Sequence, residues 1–373
     1  MTTLFDSIRF GSLTARNRIV MAPLTRNRAG AGQIPTPLMA LYYGQRSSAG
    51  LIISEATQIA PEAQGYLDTP GIHTSAQVAG WRTVTEAVHS KGGTIVAQLW
   101  HVGRISHVSL QPQGRPPVSS TGRRADAKTF TAKGFEDVSQ PRALALEELP
   151  GIVGQFRQAA RNAVDAGFDG VEVHGANGYL LEQFLRDSIN DRSDGYGGSR
   201  ENRVRFPLQI MTAIVAEIGA GRTGLRLSPV TPVNDAKQDT DAQGLYDYFM
   251  ERLNPLHLAF IHIIEGATGG ARDLVAFDYA GLRGRFKRDN PDGAWIVNNG
   301  YTRSMALAAV ASGAADLVAF GRPFISNPDL VDRLRLDEPL AALDPETLYG
   351  GGGAGYTDYP DFHASETASG AAA

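Results

Sequence analysis

The chain has 373 residues, with 35 Lys and Arg against 39 Asp and Glu and a formal net charge of −4, a near-balance that argues against a nucleic-acid-coating protein. It has no cysteine, which excludes disulfides, thiolate-bound zinc, iron–sulfur clusters and a cysteine nucleophile. A hydrophobic fraction of 42% suits a globular enzyme, and 42 glycines, about 11% against a typical ~7%, point to tight turns and close approaches of backbone to ligand.

In chain order, residues 4–15 are expected to form a small hairpin closing one end of the fold. Short, β-branched-rich apolar runs follow at 18–22, 51–54, 94–99, 170–174, 224–228, 258–264, 295–298 and 317–320. They are continuous rather than alternating, as strands buried on both faces of a parallel sheet should be. Amphipathic stretches lie between them at 75–90, 149–166, 202–218, 242–253 and 304–312, and Pro328 opens a last helix for which Asn327 is a plausible cap. Eight strands alternating with helices predict a closed α/β (β/α)₈ TIM barrel. An open doubly wound sheet would announce a G-x-G-x-x-G after its first strand, and none is present there. Residues 101–146 are too long for a βα loop and are read as a long excursion after strand 3, over the site. Residues 1–362 are expected to form a single domain, with a flexible Ala/Ser/Gly/Thr-rich tail at 363–373. No apolar run reaches the ~20 residues of a membrane span, and the N-terminus lacks a basic region followed by an apolar stretch, so a cytoplasmic protein without membrane or nucleic-acid partners is expected.

A barrel of this kind carries its chemistry at the carboxyl ends of the strands. Polar and aromatic residues gather there, from Ala22-Pro23-Leu24-Thr25 and Ser54-Glu55-Ala56 through Gln98-Leu99-Trp100-His101 to Arg226 and Ser228. The fourth end, His174-Gly175-Ala176-Asn177-Gly178-Tyr179, sets three useful groups within six positions. His and Asn can both donate to one oxygen, and a phenol can give a proton. The last two ends, Asn299-Gly300 and Gly321-Arg322, suit a phosphate: glycines free backbone N–H groups to face an anion, and arginine offers a fork. Arg226 needs an electron-rich partner, and a flavin edge or a barrel carboxylate such as Glu55 would each serve. Glu172 is expected to face the helices in a structural ion pair. There is no metal-binding spacing such as H-E-x-x-H.

These residues sit in longer runs. Asn17-Arg18-Ile19-Val20-Met21-Ala22-Pro23-Leu24-Thr25-Arg26, Gln98-Leu99-Trp100-His101-Val102-Gly103-Arg104 and His174-Gly175-Ala176-Asn177-Gly178-Tyr179-Leu180-Leu181-Glu182-Gln183-Phe184 come first. Tyr196-Gly197-Gly198-Ser199-Arg200-Glu201-Asn202-Arg203, Ala319-Phe320-Gly321-Arg322-Pro323-Phe324 and Gly355-Tyr356-Thr357-Asp358-Tyr359-Pro360 follow. Together they resemble the classical Old Yellow Enzyme family of flavin-dependent ene-reductases over residues 4–360. The resemblance implies a non-covalent FMN. Pro23, Thr25, Ala56 and Gln98 would lie around the isoalloxazine and Arg226 at its N1–C2=O edge, with Gly300, Gly321 and Arg322 at the phosphate. It implies that His174 and Asn177 grip a substrate oxygen, that Tyr179 is the proton donor, and that Tyr66, Trp100 and Tyr349 line the space above the flavin.

The implied reaction reduces the activated C=C bond of an α,β-unsaturated ketone, aldehyde, maleimide or nitroalkene. NADPH or NADH reduces the flavin, hydride passes from flavin N5 to Cβ, and Tyr179 protonates Cα. The implied partners are these small molecules, and the assembly a monomer or homodimer. The rivals are a lyase or aldolase using a metal or Schiff-base lysine, and a non-catalytic flavin-binding module. The strand ends carry no lysine, which disfavours the first, and mere storage needs no proton donor, which disfavours the second.

Overall fold

A computed structural model describes residues 2–362; the tail expected at 363–373 lies outside the described residues. Eight strands close into a parallel barrel: Ile19–Met21, Leu51–Gln58, Ile95–Trp100, Gly170–Gly175, Thr223–Leu227, Phe260–Ile264, Ala294–Asn298 and Leu317–Phe320, each paired with its neighbours in chain order and the eighth with the first. They are barrel strands 1 to 8 below. All eight fall where the apolar runs predict strands.

The reason those runs are continuous is visible in two separate apolar clusters. Ile19, Ile52, Ile95, Val171, Leu225, Ile261, Trp295 and Val318 point outward into the layer against the helices. Val20, Leu51, Val96, Phe260, Ala294, Ile296 and Leu317, one residue out of phase, point into the barrel. The N-terminal hairpin, Ile8–Phe10 paired with Leu13–Ala15, delivers Phe10, Leu13 and Ala15 to this inner cluster and so closes the barrel bottom, as expected. Phe10 meets Phe260 edge-on, ring centroids 6.2 Å apart. Gly224 completes this floor: a Cβ there would lie 2.2 Å from the Phe260 ring, so only glycine lets the ring in.

The helices Ser75–His89, Leu149–Asp165, Arg205–Ile218, Ala242–Leu253 and Arg303–Ala311 cover the barrel where predicted. Thr74 and Gln77 cap the first of them reciprocally. Two readings need correction. The stretch predicted as one helix at 202–218 is two, Arg200–Arg203 and Arg205–Ile218. Asn327 does not cap the helix Leu330–Leu336: its carboxamide donates to the Pro323 carbonyl at 2.8 Å and accepts from the Ala341 amide at 2.7 Å, so a longer-range tie takes the group a cap would have used. The excursion between strands 3 and 4 contains a hairpin, Lys128–Thr131 with Gly134–Asp137, that reaches over the barrel mouth. Among the described residues no helix is long and apolar enough to cross a membrane.

Candidate active site

Above the apolar floor the barrel interior turns polar. Gln98 and Glu172 are register partners on strands 3 and 4, and the Gln98 amide donates to Glu172 Oε1 at 2.7 Å. Glu172 Oε2 is 2.7 Å from His262 Nδ1 on strand 6. Glu172 therefore points into the barrel, on the same side as His174, because residues two apart on a strand share a face. The expected direction, toward the helices, does not hold, and the expected ion pair is a buried hydrogen-bonded network instead: burial favours the neutral form of His262, and Gln98 is uncharged. Glu55 is not the partner of Arg226 either. It lies in reach of the Tyr43 hydroxyl, 3.3 Å away, and burial pushes its carboxyl up to about 7. Arg226 instead donates to Asn298 Oδ1 at 3.0 Å, and its buried Nε has no partner in the protein.

At the fourth strand end the structure brings Tyr179 and His174 together. Tyr179 meets the rings of both Trp100 and His174 edge-on, centroids 5.0 Å apart in each case, and its hydroxyl lies 3.2 Å from that of Tyr66. Tyr66 stacks on Trp100 at 5.6 Å, and Ala56 packs in the same cluster. His174 Nδ1 accepts from the Ala176 amide at 3.3 Å, which leaves the ring proton on Nε2. Burial, with Arg226 and His262 nearby, holds this imidazole well below its usual range, so it is a neutral donor. Burial raises the Tyr179 phenol, although its hydrogen bonds to Tyr66 and Asn234 oppose the rise, and raises Tyr66 further. Both phenols are protonated at neutral pH.

A pocket of about 200 Å³ opens beside these groups, lined by Thr25, Asn27, Tyr66, Phe130, Phe135, Tyr179 and Tyr349. Tyr349 is 57% exposed at its rim. Its loop is tied down by two buried arginines just after strand 1: Arg26 Nε donates to the Leu348 carbonyl at 2.8 Å and Arg28 Nη2 to that of Thr347 at 2.9 Å. Pro23 and Thr25 are half-buried on the same strand-1 end.

Gly300, Gly321 and Arg322 lie at the ends of strands 7 and 8. Gly300 is exposed with φ +66°, and a Cβ there would meet nothing within 4 Å; at Gly321 it would touch only Leu24, at 3.6 Å. Arg322 is exposed and, among the described residues, forms no ion pair. It rests against the loop after strand 6, where a Cβ on Gly269 would come within 3.0 Å of its Nη2. An open cradle with a free guanidinium at one end, and a buried Arg226 with an unpartnered N–H at the other, fit FMN: the first matches a phosphate, the second an electron-rich ring edge.

The likeness to known proteins is decisive. Residues 3–340 match the NADH:flavin oxidoreductase / NADH oxidase family. The chain belongs to the Old Yellow Enzyme family. It is 46% identical to 12-oxophytodienoate reductase 1 of Oryza sativa subsp. japonica, covering 96% of this chain and 92% of that protein. It is 43% identical to 12-oxophytodienoate reductase 2 of Arabidopsis thaliana, covering 97% and 96%. Among solved structures it resembles morphinone reductase (TM-score 0.91, 45% identity, 97% of each chain) and the old yellow enzyme homologue from Zymomonas mobilis (TM-score 0.90, 42% identity, 96% and 99%). Morphinone reductase has also been solved in complex with tetrahydroNAD. This family member is an NAD(P)H-dependent flavin oxidoreductase of the ene-reductase type, with FMN as cofactor and a nicotinamide as reductant.

Several residues at the site carry no signal strong enough to single them out in the sequence. Phe130 and Phe135 reach the pocket from the excursion hairpin. Gln183, one turn beyond Tyr179, donates to the Val102 carbonyl at 2.9 Å and that of Gly178 at 2.8 Å, fixing the strand-4 loop to the excursion. Asn234 and Thr268, from the loops after strands 5 and 6, surround Asn177 together with Ser228, which the fifth strand end already brings forward in the sequence. Asn177 itself has φ +58°, a left-handed conformation that asparagine tolerates better than most residues.

Proposed function

We propose that residues 1–362 form one FMN-binding domain that reduces the activated C=C bond of α,β-unsaturated ketones, aldehydes, maleimides or nitroalkenes. FMN, when bound, supplies the hydride, having taken it from NADPH or NADH. The chain's own groups do the rest. Pro23, Thr25, Ala56 and Gln98 hold the ring system, Arg226 donates to its electron-rich edge, and Gly300, Gly321 and Arg322 hold the phosphate. Tyr66, Trp100 and Tyr349 exclude water and pack against the substrate.

His174 Nε2–H and the Asn177 carboxamide donate to the substrate's carbonyl or nitro oxygen. Negative charge grows on that oxygen as the alkene is reduced, so aimed donors stabilise the transition state more than the ground state. A neutral imidazole suits this task, because it holds its hydrogen bond without changing protonation at working pH. Tyr179 delivers the proton to Cα: its O–H bond breaks as the Cα–H bond forms. The Tyr66 hydroxyl, 3.2 Å away, can donate to the phenolate left behind.

The observation that carries this reading is the meeting of a neutral imidazole donor and a protonated phenol at one strand end beside a pocket. An anaerobic cuvette tests it. The yellow protein should bleach with NADPH and regain colour when 2-cyclohexenone is added. Tyr179→Phe should still bleach at the parental rate but regain colour more slowly, by about 10²–10⁴-fold, the range for removal of a general acid. Enone turnover unchanged in that variant would remove Tyr179 from the mechanism.

A further inference from the structure

A carboxamide can present either its N–H or its C=O to a ligand, and only one of these suits a substrate that grows negative charge on oxygen. Nothing in Asn177 itself decides between them; its neighbours must. Its backbone is fixed first. The amide N–H donates to Ser228 Oγ at 2.8 Å, and its carbonyl accepts from Asn234 Nδ2 at 2.9 Å. These bonds hold the left-handed turn but leave the side-chain amide free to reverse.

The side chain meets the loop after strand 6. Thr268 Oγ1 lies 2.6 Å from Asn177 Oδ1 and 3.4 Å from Thr231 Oγ1. The Thr231 hydroxyl already donates to the Gly266 carbonyl at 2.6 Å. The Thr268 proton therefore has two acceptors to choose from, and the nearer is on Asn177. A separation of 2.6 Å is typical of O–H···O and short for N–H···O, whose mode is about 2.9–3.0 Å. Thr268 donates, Asn177 Oδ1 accepts, and the Nδ2 hydrogens are turned away from the loop.

Thr268 is itself held in place. The Asn299 carboxamide, on the end of strand 7, donates to the carbonyls of Glu265 at 2.6 Å and Ala267 at 2.9 Å and accepts from the Gly269 amide at 3.1 Å. The loop that carries Thr268 is thus clamped on both sides of it.

We propose that Thr268 is a positioning residue: its hydroxyl sets the Asn177 carboxamide with the N–H facing the substrate oxygen. This rests on the reading that Asn177 binds that oxygen. Thr268 is exposed, so its substitution leaves the core untouched. Thr268→Val keeps the shape and removes the donor.

The test uses the FMN-loaded enzyme and phenol as the probe, since a phenolate oxygen mimics the reduced substrate's. Thr268→Val should weaken phenol binding about 3- to 10-fold, the worth of one ordinary hydrogen bond, and Thr268→Ser should restore it. In an Asn177→Ala background the same Thr268→Val change should have no effect, because the group it orients is gone. An equal loss in both backgrounds, or no loss in the single variant while Asn177→Ala weakens phenol, would overturn the role of Thr268 and leave that of Asn177 standing. Undiminished phenol affinity in Asn177→Ala would instead sink the underlying reading.

Discussion

The neutrality of His174 has a consequence for stability that can be measured apart from catalysis. In the unfolded chain this imidazole takes up a proton below its ordinary pKa of 6.5. In the fold it stays neutral well below that value, because it is buried and faces the Arg226 cation. Between these two values the unfolded state binds more protons, so stability is fully present above pH 6.5 and is lost as the pH falls. Each pH unit below 6.5 over which the folded imidazole stays neutral costs up to about 1.4 kcal/mol of stability. His174→Gln keeps a donor of similar shape and removes the titration. Urea unfolding of the FMN-saturated parent and variant at pH 7 and pH 5 should show the variant losing less stability than the parent on going to pH 5. His101, held at about 4 by burial, and Glu55, raised to about 7, also respond to pH in this window, in opposite directions. Both are present in parent and variant and drop out of the difference. Parallel stability curves for the two proteins would mean that His174 titrates freely in the fold, and the neutral-donor argument would fail with it.

Glu172→Ala leaves the Gln98 amide and His262 Nδ1 without their shared partner inside the barrel, and it removes the carboxylate that offsets the buried Arg226 charge. The unfolding free energy should fall by about 3–5 kcal/mol, as for other broken buried pairs, with a smaller loss for Glu172→Gln; a parental urea midpoint for Glu172→Ala would show that the network is dispensable. Arg322→Ala should raise the Kd for FMN about 10- to 150-fold, the worth of a charge-assisted hydrogen bond at about 1.5–3 kcal/mol. Fluorescence of FMN released on dilution reports it directly, and a variant that stays loaded at nanomolar concentration would remove Arg322 from the phosphate site.

What the sequence discloses, and what it hides, follows from how local each feature is. The barrel is legible because every strand buries both faces, so each announces itself as a short apolar run. The His174, Asn177 and Tyr179 constellation is legible for a related reason: one strand end and one turn carry all three, so their spacing in sequence is their spacing in space. The Gln98–Glu172–His262 network is not, because it joins residues 74 and 90 positions apart, and only the register of strands 3 and 4 makes Glu172 the partner of Gln98. Even so, the period of two already sets Glu172 on the side of His174, and a buried carboxylate facing into a barrel needs an interior partner. Thr268 has no such clue. Its meaning depends on a carboxamide whose two orientations look alike in any alignment of residue types, and on the Thr231 proton being committed elsewhere. The residues of this site are therefore written locally at strand 4, whereas the groups that hold Asn177 come from loops 51, 57 and 91 positions away, where sequence spacing carries no information.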